Sequence, residues 1–93
     1  MGKKALMLAG KDNVAVLLDD LSKGEDVEIS GIEQEYIIKG VDDISLGHKI
    51  ALIRIEEGDR ITKYGEVIGV ALARINVGEH VHIHNMQSTL FKL

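Results

Sequence analysis

The chain has 93 residues, a formal net charge of −4 at pH 7, and no cysteine or proline. This length predicts one domain, over residues 1–93, that folds without disulfide or metal support. The missing cysteine excludes a disulfide framework, a thiolate metal site and a thiol nucleophile, and it suits a cytoplasmic protein. The negative charge disfavours nucleic acid as a partner. No apolar run approaches the ~20 residues that span a membrane.

The N-terminal part contains one strand candidate and one ambiguous segment. Residues 5–8 form a short apolar run that predicts a strand. In residues 13–24, Asn13 is a suitable helix cap, apolar residues recur at helical spacing, and Gly24 resembles a helix end. The apolar run at residues 14–18 also fits a buried strand, and we favour the strand because Gly24 fits the turn pattern described next.

One short pattern recurs four times: an apolar residue, two variable residues, a glycine and then an alternating segment. Glycine takes the positive φ of a tight turn, and period-two alternation gives a strand with one face toward the core. The copies are irregularly spaced, whereas a solenoid needs a fixed period. The pattern therefore predicts an all-β domain of short strands joined by glycine turns. The copies are residues 21–29, 44–52, 55–63 and 75–83.

Two further strands are expected at residues 35–39 and 67–73, with glycines at the bends beside them. Gly65 and Gly69 are placed where another backbone or a ligand can approach closely, although both also suit plain turns. The acidic pairs of the sequence precede or lie within turns and are expected to form solvated faces. These pairs are Asp19 and Asp20, Asp42 and Asp43, and Glu56 and Glu57.

Three of the four histidines alternate with apolar residues near the C-terminus. On a strand, His80, His82 and His84 share one face, with alternate residues ~6.6 to 6.8 Å apart. Two imidazoles at this spacing can converge on one metal, and His48 or a partner chain can complete the set. The alternative is a polar, solvent-facing side of an edge strand, because two ligands fall short of the three in open catalytic zinc sites.

Two bends combine cations with hydrogen-bond donors. Lys63, Tyr64 and Gly65 bring a cation and a phenol to a flexible backbone. Such a set can bind or polarise a carboxylate or a hydroxyl group. His48 and Lys49 follow a turn glycine and form a second cationic or acid-base pair. For both bends, the alternative is a plain turn with a solvated cation.

Three segments, at residues 47–52, 63–69 and 78–85, resemble in order and spacing the N-terminal domain of the altronate and galactarate dehydratase family. The similarity runs from Asp12 through Asn85, and it extends to short chains that are separate subunits, including in sulfolactate sulfo-lyase. The resemblance implies a β-clip fold of the SAF type and a large catalytic subunit as partner. It also implies dehydration of an aldonic or aldaric acid with a divalent metal, usually iron.

By this resemblance, the chain acts as the small subunit of a sugar-acid lyase, and a non-catalytic module that binds metal or sugar acid is the alternative. Iron(II) comes from the resemblance, because neutral imidazole suits zinc, iron, copper and nickel alike. The tail at residues 86–93 is expected to dock on the large subunit or to fray. The implied residues are Lys63, Tyr64 and His48 for catalysis, Lys49, Gly65 and Asn85 for substrate binding, and His82 and His84 for the metal.

Overall fold

A computed structural model describes residues 2–31 and 35–89. These ranges contain strands, bridges and turns but no helix, which confirms the predicted all-β class, and the curled sheets match a small β-clip domain. They accordingly hold no helix that could cross a membrane. The strands are β1 Lys3–Leu6, β2 Val14–Leu17, β3 Asp26–Ser30, β4 Glu35–Lys39, β5 Lys49–Ala51, β6 Arg60–Lys63, β7 Glu66–Ala71, β8 His80–Val81 and β9 Met86–Ser88.

The strands form two sheets that share a core. The larger sheet has the order β4-β3-β1-β2-β5-β8, and the smaller one has the order β6-β7-β9. β1 and β3 run parallel, whereas the other neighbouring pairs run antiparallel. Leu17 and Ile50 belong to one buried apolar cluster, while Val14 and Ala51 belong to a second cluster that joins the smaller sheet. β2 and β5 therefore bury side chains on both faces.

Burial on both faces explains why β2 is apolar without alternation, and it confirms a strand rather than a helix in this segment. Val14 and Leu17 are fully buried. Asn13 does not cap a helix. Its side chain instead accepts the Thr62 N–H at 2.8 Å and donates to the Arg60 carbonyl at 2.9 Å. Asn13 thereby ties the start of β2 to β6.

The four repeated units form glycine turns, as predicted, and the turns pair two by two. Leu21 and Ile44 exchange two main-chain hydrogen bonds of 2.8 Å. Ile55 and Ile75 exchange two of 2.8 and 2.7 Å. The first unit thus pairs with the second, and the third with the fourth. The turn glycines have φ of +91° at Gly24, +86° at Gly47, +87° at Gly58 and +88° at Gly78.

Two of the acidic residues expected on solvated faces also hold the first pair of turns together. Asp20 accepts the Leu46 N–H at 2.8 Å, and Asp43 accepts the Lys23 N–H at 2.7 Å. Each carboxylate thus reaches across to the turn of the other unit. Both are exposed, as predicted, but solvation alone does not describe them.

Several element boundaries differ from the sequence predictions. The first strand covers Lys3–Leu6 rather than residues 5–8, and the strand predicted at 67–73 covers Glu66–Ala71. The expected tail begins with β9, in which Met86 is buried against the smaller sheet, so residues 86–88 do not fray. Residues 90–93 lie outside the described part of the chain.

We expect Gly78→Ala to destabilise the fold more than Gly58→Ala. Both glycines have a positive φ, so either alanine costs about 1 to 2 kcal/mol of unfolding free energy. A Cβ on Gly78 would also collide with the main-chain oxygen of Lys39, whereas the space beside Gly58 is open. Overpacking of this kind adds about 1 to 3 kcal/mol. Urea unfolding of the two variants measures the difference, and equal losses would contradict the prediction.

Candidate metal centre

Strand pairing between β5 and β8 brings His48 next to His80. Ile50 lies opposite His80 in this pair. His48 precedes Ile50 by two residues, so it shares the sheet face of Ile50 and His80. The Nδ1 atom of His48 lies 3.0 Å from the Nε2 atom of His80. Two segments that are distant in sequence thus contribute to one cluster.

His82 completes a group of three imidazoles. Its ring stacks on that of His48 with centroids 4.4 Å apart, and it lies 5.4 Å from the ring of His80. One ligand nitrogen from each of the three half-buried rings lies within 4.8 Å of the others. Ligand nitrogens of a tetrahedral site are roughly 3.3 Å apart, given bonds of ~2.0 to 2.1 Å. The three rings would have to rotate from their present stacked arrangement to direct these nitrogens at one ion.

The predicted strand through residues 80–84 is wrong beyond its second residue. β8 ends at Val81, and residues 82–85 form a turn that the Asn85 N–H closes on the His82 carbonyl at 3.0 Å. Val81 is buried, but Ile83 is 78% exposed rather than sharing the inner face. His84 is exposed, and its ring is 5.2 Å from that of His80. The structure thus groups His82 with His48 and His80 and leaves His84 at the margin.

The surroundings of the cluster favour uncharged rings. Burial lowers the pKa of His80 below the ordinary histidine value, and the three other histidines lower it further. The carboxylate of Asp42 acts in the opposite direction. Burial also lowers the pKa of His82, and positive charge from two other histidines and Lys49 adds to this effect. Neutral imidazole is the form that binds a metal ion.

Lys49 carries positive charge close to the cluster, and the charge of Lys63 in turn reaches Lys49. Lys49 lies on β5 directly after His48, and its charge reaches His82. Burial lowers the pKa of Lys49, and the charge of Lys63 lowers it further. Neither lysine forms an ion pair within residues 2–31 and 35–89. Without an acidic partner in these ranges, the two ammonium groups are available to an anion.

Tyr64 and Gly65 form the two-residue turn between β6 and β7. Both have a positive φ, 54° and 82°, which is the signature of a type I′ hairpin turn. The Gly65 N–H donates to the buried Asp12 carboxylate at 2.8 Å, so the turn is fixed to the N-terminal segment. The Lys63 ammonium lies 5.4 Å from the centroid of the Tyr64 ring. Tyr64 as a residue is 38% exposed.

Asn85, which the resemblance assigned to substrate, is buried and bonds to the main chain of the cluster. Its Nδ2 donates to the His80 carbonyl at 2.8 Å, and its Oδ1 accepts the His82 N–H at 2.9 Å. Asp42, expected on a solvated face, is half-buried and accepts the His80 N–H at 3.0 Å. Sequence reasoning missed both contacts, and the role of Asn85 in substrate binding stays a prediction.

A signal for His48 was present in the repeated turns. In the other three units an acidic residue follows the glycine, namely Glu25, Asp59 and Glu79, and its carboxylate bonds within its own turn. The second unit has His48 at this position, and its ring bonds to His80 instead. A histidine in place of the turn-closing acid therefore marks the unit that faces the cluster.

In the metal-free protein, we expect stability to fall as the pH drops through the histidine range. The folded state lowers the pKa of His80 and His82, so the unfolded chain takes up protons first. Stability from the neutral rings is thus fully present above about pH 6.5 and is lost as pH falls toward the lower folded-state pKa. Thermal unfolding over about pH 5 to 8 measures the slope.

The control for this pH prediction is a double variant, His80→Gln with His82→Gln, which keeps polar side chains that do not titrate there. The difference in unfolding midpoint between wild type and this variant isolates the histidines from other titrating groups. We expect acidification to lower the unfolding midpoint of the wild type more than that of the variant. A difference that is independent of pH would contradict the prediction.

The sequence profile of the altronate/galactarate dehydratase SAF domain matches residues 3–89. The chain is 43% identical over 88 residues to altronate dehydratase of Bacillus subtilis (strain 168), covering 95% of this chain and 17% of that enzyme. It is 44% identical over 82 residues to altronate dehydratase of Escherichia coli (strain K12), covering 88% of this chain and 16% of that enzyme.

A shorter relative shares half of the chain. The (2R)-sulfolactate sulfo-lyase subunit alpha of Paracoccus pantotrophus is 46% identical over 46 residues, covering 50% of this chain and 69% of that subunit. The chain spans about a sixth of the length of the altronate dehydratases that it matches. Because the profile covers almost all of its residues, the chain belongs to the family of altronate/galactarate dehydratase SAF domains.

Proposed function

We propose that this chain is the small subunit of a lyase that dehydrates an aldonic or aldaric acid, together with a large catalytic subunit. The observation that carries the proposal is the convergence of His48, His80 and His82 beside Lys49, which forms no ion pair within residues 2–31 and 35–89, in a domain of this family. The relatives that match are named altronate dehydratases and subunits of a sulfo-lyase. Both names describe elimination from a substituted acid.

The three imidazoles fit a divalent metal. They are half-buried, their ligand nitrogens are close together, and the low pKa values of His80 and His82 favour the neutral form. Three protein ligands leave open positions for other oxygen ligands, as in catalytic metal sites. A bound divalent ion, iron(II) by the family resemblance, supplies a Lewis acid for substrate oxygens. In this proposal His48, assigned to catalysis from the sequence, is a ligand, and His84 lies beside the site.

Lys49 and Lys63 would bind the carboxylate of the substrate. A buried ammonium without a counter-ion is electrostatically unfavourable, and an anion that reaches it removes this penalty. Lys49 combines partial burial with a neighbouring like charge, so it gains most from a bound carboxylate. Tyr64 sits next to Lys63 in a turn that Asp12 holds in place, and its hydroxyl can donate a hydrogen bond to the same ligand.

A large catalytic subunit would supply the rest of the active site. The chain corresponds to about a sixth of each altronate dehydratase that it matches. His84 and Ile83 on the turn after β8 are exposed and would face such a partner. The alternative, a binding module without catalysis, gains support because all three candidate ligands come from this one chain. The lyase proposal requires a partner chain and turnover of a substrate, whereas the binding module requires neither.

Metal titration of the isolated chain tests the ligand set. We expect His48→Ala, His80→Ala and His82→Ala each to weaken binding of cobalt(II) or iron(II) by at least about 10-fold, the lower end of what loss of an outer-shell partner costs. His84→Ala is the matched control and should bind as the wild type does. Calorimetry under anaerobic conditions measures the affinities. Equal losses of metal affinity in all four variants, or the largest loss in His84→Ala, would contradict the proposed set of ligands.

Co-purification from the native host, followed by assay of sugar-acid dehydration, tests the enzymatic role. We expect a large chain to be recovered, with activity that His82→Ala abolishes while assembly persists. Lys49→Gln and Lys63→Gln should raise KM about 10-fold or more, the worth of a hydrogen bond to a charged group. Lys23→Gln, an exposed lysine on the first turn, is the control. Stoichiometric metal without any associated chain would favour the binding module instead.

A further inference from the structure

Among the residues that the structure describes, side chains instead of a strand bind the outer edge of β8. β8 lies at the end of the larger sheet and pairs with β5 on one side. On the other side, Asp42 accepts the His80 N–H, and Asn85 donates to the His80 carbonyl. The same Asn85 amide accepts the His82 N–H. Two side chains thus bind three main-chain groups of His80 and His82, which belong to the cluster.

The geometry of the cluster depends on this arrangement. β8 ends at Val81, and residues 82–85 form the turn that Asn85 closes. In this turn the ring centroids of His80 and His82 are 5.4 Å apart, and His82 stacks on His48 at 4.4 Å. The Asn85 side chain therefore fixes the main chain on both sides of Val81 while the three rings lie against one another.

We infer that Asn85 and Asp42 are positioning residues that set His80 and His82 at ligand distance, an inference that rests on the proposed metal site. Asn85 fixes where the chain turns, and Asp42 fixes the N–H of the first ligand. Neither side chain belongs to the group of converging ligands. Both act through the main chain, as outer-shell groups do when they orient the ligands of a metal.

The chain contains a matched control for Asn85. Asn13 uses its amide in the same way, since it donates to the Arg60 carbonyl and accepts the N–H of Thr62, two residues later. It closes the edge of β6, in the smaller sheet. Asn13→Ala and Asn85→Ala thus remove the same pair of hydrogen bonds from two strand edges, and only one of these edges carries histidines.

Cobalt(II) titration of the 93-residue chain, followed by calorimetry and by the visible absorption of the bound ion, tests the inference. We expect Asn85→Ala to weaken cobalt binding about 10- to 100-fold and to change the absorption spectrum, because the ligand geometry changes. Asn13→Ala should lower the unfolding midpoint comparably and leave cobalt affinity and spectrum unchanged. If both variants lose affinity in proportion to their lost stability, the role of Asn85 is merely structural and the inference is overturned.

Asp42 provides the second arm of the test. Asp42→Ala should weaken cobalt binding, and Asp42→Asn, which keeps an acceptor for the His80 N–H, should restore part of the loss. This pair carries the test if Asn85→Ala does not fold. Wild-type affinity in both Asn85→Ala and Asp42→Ala would overturn the inference but leave the metal site standing. A wild-type chain that binds no cobalt would overturn the metal site itself, and the inference with it.

Discussion

The reciprocal main-chain bonding of paired turns is the constraint on which the fold depends. Leu21 with Ile44, and Ile55 with Ile75, each exchange two hydrogen bonds between chain segments that are far apart in sequence. The strands are only two to six residues long, so a hairpin alone would be marginal in water. Pairing the turns forces the chain to fold back across itself and places β2 and β5 between two apolar clusters. The histidines follow the turns of the second and fourth units, which belong to different pairs of turns, and the pairing of β5 with β8 then brings them together.

Much of the fold is predictable because glycine and apolar alternation are local signals. The turns at Gly24, Gly47, Gly58 and Gly78 have the positive φ that their pattern demands. Which turn pairs with which is not visible in the sequence, because all four units share one pattern. Tertiary packing constrains the turns further, since any residue larger than glycine at position 78 would collide with the main chain of Lys39. Strand ends were least predictable, because they depend on what covers each edge.

The candidate site, like the fold, could be predicted from the sequence only in part. Alternation of His80, His82 and His84 predicts a strand face, yet β8 stops after Val81. The Asn85 amide binds the main-chain groups of His80 and His82 that a neighbouring strand would otherwise bind. Three hydrogen bonds from the main chain to the side chains of Asp42 and Asn85 take the place of a neighbouring strand here. The periodicity of the sequence does not predict them. The contribution of Asp42 is equally hidden, since it meets His80 only after the second and fourth units come together.

Charge around the cluster bears on what kind of site this is. A divalent ion on three neutral imidazoles would keep its full charge, and the charge of Lys49 reaches this cluster, with that of Lys63 reaching Lys49 in turn. Neither lysine has an acidic partner in the described ranges. Like charges near the ion disfavour its binding. An anionic ligand, from the substrate or from a partner chain, would offset both the ion and the lysines. The lysines thus favour a site that is completed by a bound acid over one that stores metal.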